Sequence, residues 1–293
     1  MTDPSPRRRR LKRLLIIAGI TLVVGYAALL TIGYFTQGRL VFPRHFAGPA
    51  RVDAASVKGI QEVWLTAADG ERIVAWFMPG DGRTPDSPGP AVVFAHGNGE
   101  LVDDNIGIAN MYARWGVSSI MVEYRGYGRA PGTPGQREIV GDFVAFYDWL
   151  IARPEVDPGL VAFHGRSLGG GVASALAAER RPVAMVLEST FTSAVAMAER
   201  FLFAPMLLRH PFRSDTVLPT LGVPVLIMHG TSDYIIPVEH GRTLARIIPD
   251  ARFVPFNSGH NDLAASDRAL YEREIRDHLV RAGLIPPPAT TAD

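Results

Sequence analysis

Two patterns of apolar and polar positions divide this chain. Leu14 to Phe35 is an unbroken run of 22 residues without a charge, LLIIAGITLVVGYAALLTIGYF. At about 1.5 Å per residue, a helix of that length covers a hydrocarbon core of about 30 Å. From about Val57 onward, short apolar runs alternate with segments of helical period. VWLT and RIVAWFM flank the turn signal AADG (Ala67 to Gly70), which predicts a hairpin. After the Pro- and Gly-rich loop PGDGRTPDSPGP come the strand-like AVVFAHG, the helical NIGIANMYARWG, the strand-like SSIMVEY and the helical REIVGDFVAFYDWLIARP. LVAFHG, AMVLES, PVLIMHG and ARFVPF continue the strands, with EHGRTLARII and LYEREIRDHLVRAG as later helices. Strands this continuously apolar, separated by helices, predict an α/β fold: a mostly parallel sheet of about eight strands with helices on both faces. The expected organisation is a basic segment 1–13, a transmembrane anchor 14–36, a connecting segment 37–56, one α/β domain over 57–285 and a disordered tail 286–293.

Charge gives the apolar run a direction. Arg7, Arg8, Arg9, Arg10, Lys12 and Arg13 stand against Asp3 alone, a local charge of +5 in a chain of net charge +1. The remainder therefore sums to −4, a poor surface for nucleic acid, so no nucleic-acid partner is expected. Basic residues ahead of the span keep the N-terminus cytoplasmic and send the α/β domain across the membrane to the non-cytoplasmic side. A cleaved signal peptide is the rival reading. Its apolar core is usually about 7–15 residues and ends in an A-x-A-like site, whereas this run is longer and TIGYFTQGRL offers no such site. A twin-arginine signal fits the arginine spacing loosely. The chain has no cysteine, which rules out disulfides and thiolate metal sites.

The candidate chemistry centres on VAFHGRSLGGGVASALAAE. Here Ser167 lies between Gly165 and Gly169, after an apolar strand and ahead of a helical run. A G-x-S-x-G turn in that context holds the serine in a strained conformation at a sharp bend. A serine hydroxyl needs a base to take its proton, an acid to orient the base, and donors where the carbonyl oxygen becomes negative. His260, after the last strand in FNSGHND, is the candidate base. Asp233, in the loop after PVLIMHG, is the candidate acid, with Glu188 at the end of AMVLE as the alternative. The order Ser…Asp…His favours Asp233. Asp262 is better placed to cap the last helix than to orient its near neighbour. The candidate oxyanion donors are the N–H groups of Leu168, following the serine, and of Asn98, in the loop after the third strand.

AHGNGE, VEYRGYGRAPG, FHGRSLGGG, MHGTSDYIIP and SGHND together resemble the α/β-hydrolase-fold serine hydrolases, in particular the single-pass membrane branch with HGN, GxSxG and GHND signatures. The likeness covers roughly Val57 to Leu284. That branch includes monoacylglycerol and lysophospholipid lipases and protein depalmitoylases. The resemblance implies a triad of Ser167, Asp233 and His260 with an oxyanion hole at Asn98 and Leu168. Ala130–Pro131 departs from the serine-containing continuation of relatives, which bears on loop shape and leaves the triad untouched.

The segment of about 190–216, FTSAVAMAERFLFAPMLLRHPFRS at its centre, is the expected lid or cap. Phe191, Phe201, Phe203 and Met206 are its candidate substrate-lining residues, and ordinary packing of cap helices is the competing reading. The resulting expectation is a membrane-anchored esterase acting on lipid-derived acyl esters or thioesters. No cofactor or metal is expected, because no Gly-rich phosphate loop precedes a lysine and the histidines are scattered. An α/β-hydrolase-fold peptidase and a non-catalytic membrane-anchored scaffold are the alternatives. The intact Ser/Asp/His set argues against the scaffold.

Overall fold

The structure is a computed structural model that describes residues 6–199 and 204–287. Phe201, Phe203 and most of the expected tail lie outside the described residues. In chain order the elements are α1 (Pro6–Val41), β1 (Gln61–Thr66), β2 (Arg72–Met78), β3 (Gly89–Ala95), α2 (Ile106–Arg114), β4 (Ser118–Val122), α3 (Gln136–Ile151), β5 (Val156–Arg166) and α4 (Leu168–Glu179). They continue with β6 (Met185–Glu188), α5 (Ala194–Glu199), α6 (Ser214–Leu221), β7 (Val225–Gly230), α7 (Glu239–Ile247), β8 (Ala251–Phe256), α8 (Leu263–Ser266) and α9 (Arg268–Arg281).

All eight strands join one sheet in the order β1-β2-β4-β3-β5-β6-β7-β8. β1 and β2 form the hairpin about Ala67–Gly70, and β2 lies antiparallel to β4. From β4 across to β8 every pairing is parallel. Successive side chains on a strand point to opposite faces, and both faces here are covered. Val93, Phe163 and Ile227 pack on one side with Phe143, Phe146 and Val172 from α3 and α4. Their neighbours Val92, Ala162 and Leu226 pack on the other with Met111, Ile275 and Leu279 from α2 and α9. Two buried faces explain why these strands are continuously apolar.

The strand order positions the site. After β3 the chain crosses to β4 on one side, then returns to place β5 on the other. Loops leaving β3 and β5 therefore diverge, and a crevice opens between them at the carboxyl ends of the strands. The register sets Ala95 beside Gly165, so residues 96–98 emerge next to residues 166–168.

The N-terminal helix is longer than the apolar run. α1 covers 36 residues, about 54 Å, and contains one stretch, of mean hydropathy 2.4, long and apolar enough to cross a membrane. It continues through Val41 because its last turn docks on the body. Gln37 is 3% exposed, while Phe35, two residues earlier, is 78% exposed. Gln37 Nε2 donates to the Leu207 carbonyl (3.0 Å), and the Arg209 N–H donates to Gln37 Oε1 (2.7 Å). Phe42 then packs edge-on against His210 and Phe212.

The cap expected at Asp262 is corrected by the structure. Asp262 precedes α8 without a side-chain capping bond, and the last helix is capped instead by Asp267, which accepts from the Leu270 N–H. The short α8 turn separates Asp262 from the helix it was expected to cap. Phe191, expected among the lid residues, is largely buried. It is 7% exposed and packs beneath α4, where a Cβ on Gly171 would sit 2.9 Å from its ring. Met206, by contrast, is 88% exposed.

Buried His278 gives the fold an acid-sensitive element. Burial, and then the nearby Arg281, push its pKa down to about 4. A histidine depressed in the folded state stabilises the fold above its unfolded pKa of about 6.5 and loses that contribution as pH falls toward 4. Between pH 7 and pH 5 the loss at this residue is about 2 kcal/mol. The expected result is a smaller drop in thermal midpoint over that interval for His278→Leu than for wild type. Equal drops would contradict it.

Candidate active site

The sharp bend after β5 is built from backbone strain and close approach. Ser167 has φ 52° and ψ −117°, a region that residues other than glycine rarely enter. Its N–H donates to the Glu188 carbonyl (2.8 Å), and its own carbonyl accepts from Thr190 Oγ1 (2.7 Å). These two bonds from the β6 edge hold the strained residue in place. The flanking glycines answer to crowding. A Cβ on Gly169 would lie 2.0 Å from the Ala95 carbonyl oxygen, and one on Gly165 would lie 2.2 Å from the Gly169 carbonyl oxygen. Any side chain there would push the turn away from β3.

Three side chains distant in sequence meet in a row above this bend. Ser167 Oγ lies 2.9 Å from His260 Nε2, and His260 Nδ1 lies 2.7 Å from Asp233 Oδ2. The loops carrying Asp233 and His260 touch closely. A Cβ on Gly230 would come within 2.1 Å of the Gly259 carbonyl oxygen. Asp233 is 6% exposed, and its other oxygen accepts the N–H groups of Ile235 (2.9 Å) and Ile236 (2.8 Å). A second histidine, His229, places Nε2 2.8 Å from the Ile236 carbonyl and 3.2 Å from Asp233 Oδ2. Burial alone would raise the Asp233 pKa. Hydrogen bonds from His229, His260 and the Ile236 N–H outweigh it and hold the carboxyl well below the usual carboxylate range.

Glu188, the alternative acid, is committed elsewhere. Its side chain accepts from Arg166 Nε (3.0 Å) and the Tyr271 hydroxyl (2.9 Å), with His164 Nε2 at 3.4 Å. Burial opposes its ionisation, yet Arg166 and His164 hold its pKa at about 2. This buried ion network lies behind the serine turn. Arg166 also reaches Glu100 (3.3 Å), which accepts from the Gly97 N–H (3.2 Å), linking the serine turn to the loop after β3.

Leu168 is the first residue of α4, so its N–H belongs to the unpaired first turn of a helix aimed at the serine. Asn98 lies across the crevice, its Nδ2 donating to the Val41 carbonyl (2.7 Å) and its Oδ1 accepting from the Tyr127 hydroxyl (2.7 Å). Below that loop, fully buried His96 faces acceptors on both ring nitrogens, the Gly97 carbonyl (2.8 Å) and Glu123 (3.1 Å). Only the doubly protonated ring satisfies both. Burial disfavours that charge, but Glu123 overcomes it and raises the His96 pKa. Sequence reasoning assigned no role to His229, Glu123, Tyr127 or Val41. Glu123, Tyr127 and Val41 act through contacts with distant segments, of which local pattern carries no sign, whereas His229 reaches Asp233, four residues on, in the loop that follows its own strand. Among the described residues no group of three or more Asp, Glu and His side chains is arranged to hold a metal ion.

A nucleophile-bearing turn, a base and a buried acid, beside the backbone N–H groups of the loop after β3 and of the first turn of α4, can together carry out acyl transfer. Comparison with known proteins agrees with this architecture. Residues 86–214 match a family model described as serine aminopeptidase, S33. An uncharacterised protein of Mycobacterium tuberculosis is 31% identical over 283 residues, covering 94% of this chain and 98% of that one. A lysophosphatidylserine lipase of rat is 28% identical over 223 residues, covering 66% of this chain and 55% of its own length. Among solved structures, an esterase from Thermogutta terrifontis superposes with a TM-score of 0.63 at 18% identity, covering 79% of this chain and 95% of that one. With its sheet order, its strained serine turn and these relatives, the chain belongs to the α/β-hydrolase family.

Proposed function

We propose that this protein is a membrane-anchored serine hydrolase that cleaves carboxylic esters or thioesters carrying lipid-derived acyl chains. The observation that carries the reading is the hydrogen-bonded row from Ser167 through His260 to Asp233. His260 Nε2 takes the hydroxyl proton as Ser167 Oγ attacks the substrate carbonyl carbon. The carbonyl oxygen becomes an anion received by the N–H groups of Leu168 and Asn98. As the tetrahedral intermediate collapses, the C–O or C–S bond breaks and His260 protonates the departing alcohol or thiol. Water, deprotonated by the same nitrogen, then attacks the acyl-enzyme and releases the carboxylic acid and the free serine. Asp233 keeps the His260 proton on Nδ1 and stabilises the cation that forms at each step.

The N-terminal helix supports a lipid substrate. Its apolar run ends at Phe35, and the body is already docked at Gln37, so the anchor proposed for 14–36 leaves the 57–285 domain close to the membrane surface. An enzyme held there meets lipid-borne acyl groups at high effective concentration. The basic residues before the run favour a cytoplasmic N-terminus and a domain on the other side. The rat relative's name, a lipase of a lysophospholipid, points the same way. The family model's name favours a second reading, an aminopeptidase.

One experiment separates these: turnover of p-nitrophenyl esters of graded chain length, a monoacylglycerol, an acyl thioester and aminoacyl p-nitroanilides by detergent-solubilised full-length protein. The expected result is hydrolysis of esters with kcat/KM rising from acetyl to longer chains, and no anilide cleavage. Preference for acetyl would contradict the lipid reading, and anilide cleavage alone would favour the peptidase.

A further inference from the structure

We propose that the last turn of the N-terminal helix is a working part of the active site, in which the Val41 carbonyl holds the Asn98 side chain and thereby positions the oxyanion loop. Resting on the serine-hydrolase reading, this inference makes the membrane helix a positioning element as well as a tether.

The last carbonyls of a helix have no partner within it and must find one elsewhere. That of Val41 accepts the Asn98 carboxamide at 2.7 Å. The same carboxamide accepts the hydroxyl of Tyr127, itself fully buried, at 2.7 Å. With one partner on each end, the amide has a single orientation. Its backbone, including the N–H assigned to the oxyanion, is fixed between α1 and the loop after β4. On the other side of the loop, the Gly97 N–H is held by Glu100 and through it by Arg166, next to Ser167. Three attachments therefore position residues 97 and 98, and one of them belongs to the membrane helix.

The helix end is itself seated. Gln37, one turn before Val41, bonds the Leu207 carbonyl and the Arg209 N–H, and Phe42, just after it, is buried against His210 and Phe212. Gln37 makes no contact with the triad. Its loss frees the helix end from the 207–209 segment and leaves the Val41–Asn98 bond without its support. Displacing oxyanion donors by about 1 Å costs up to about a hundredfold in rate, because the transition-state charge is sensitive to their position. The substrate's ground state is much less affected. The signature is thus a fall in kcat with KM preserved.

The test uses full-length protein in detergent micelles with Asn98→Asp, Gln37→Ala and the double variant. Asn98→Asp keeps the acceptor for Tyr127 but turns an oxygen toward the Val41 carbonyl. Its expected effect on p-nitrophenyl ester hydrolysis is a kcat about 10- to 100-fold lower, with KM within about threefold. Gln37→Ala should lower kcat about fivefold, and the double variant should fall no further than Asn98→Asp, since both break one link. Hydrogen–deuterium exchange gives a readout that needs no turnover: Gln37→Ala should speed exchange of the 96–100 peptide while the α4 peptide stays unchanged. Wild-type exchange in that peptide, or kcat effects that multiply in the double variant, would overturn the inference. Wild-type protein inert toward every ester would instead overturn the hydrolase reading, and the exchange measurement would still decide whether the helix end holds the loop.

Discussion

Ser167→Ala is expected to lower kcat/KM for ester hydrolysis by at least about 10⁴-fold while leaving the fold intact. The loss is large because no other group supplies the acyl acceptor. His260 Nε2, 2.9 Å from the missing oxygen, would have only water to activate. The residual rate would come from the oxyanion donors and substrate binding alone. Alanine keeps the backbone bonds to the Glu188 carbonyl and the Thr190 hydroxyl, and so should hold the same turn. It also removes no more than one hydroxyl from a residue that is 9% exposed. Steady-state kinetics beside a thermal melt checks both halves. A kcat/KM within tenfold of wild type with an unchanged melt would contradict the assignment.

Asp233→Asn is the second large effect, and the structure gives its mechanism in detail. The N–H groups of Ile235 and Ile236 both donate to Oδ1, so an amide at this position must keep its oxygen there. Its NH₂ then points at His260 Nδ1. That nitrogen changes from donor to acceptor, the ring proton moves to Nε2, and the base faces Ser167 with a proton already in place. A fall of about 10⁴ in kcat is expected for this tautomer reversal, with little change in KM. His229 also lies within 3.2 Å of the Asp233 oxygen that becomes the NH₂, so the variant loses part of that contact as well. A kcat within tenfold of wild type would show that Asp233 does not set the tautomer.

Much of this was legible in the sequence because the signals are local. Eight apolar runs bounded by turn residues correspond to eight strands, and the hairpin follows from Ala67–Gly70. The sequence also brought forward Ser167, Asp233 and His260 by strand-end position and order, and the structure places them within hydrogen-bond reach of one another. What was hidden depends on contacts between distant segments. The exchange of β3 and β4 in the sheet order leaves no mark on either strand, yet it opens the crevice. Glu188 resembled a spare acid until Arg166 and Tyr271 were seen to occupy it. Phe191 sits in an apolar segment whose pattern fits lid and core equally, and its burial beneath α4 is a contact that the pattern does not show. The docking of α1 was hidden for a related reason. Gln37 follows an apolar run, and a lone polar residue there shows nothing of the two backbone groups it bonds.

Covalent trapping reports whether the Ser167 oxygen is a nucleophile made reactive by His260. Full-length protein would be treated with an alkyl fluorophosphonate, which a reactive serine attacks at phosphorus with loss of fluoride, and then digested and mapped by mass spectrometry. The expected result is one adduct, on Ser167, formed at least about 100-fold more slowly in His260→Ala and absent in Ser167→Ala. An adduct confined to another residue, or none on wild-type protein, would show that Ser167 is not that nucleophile.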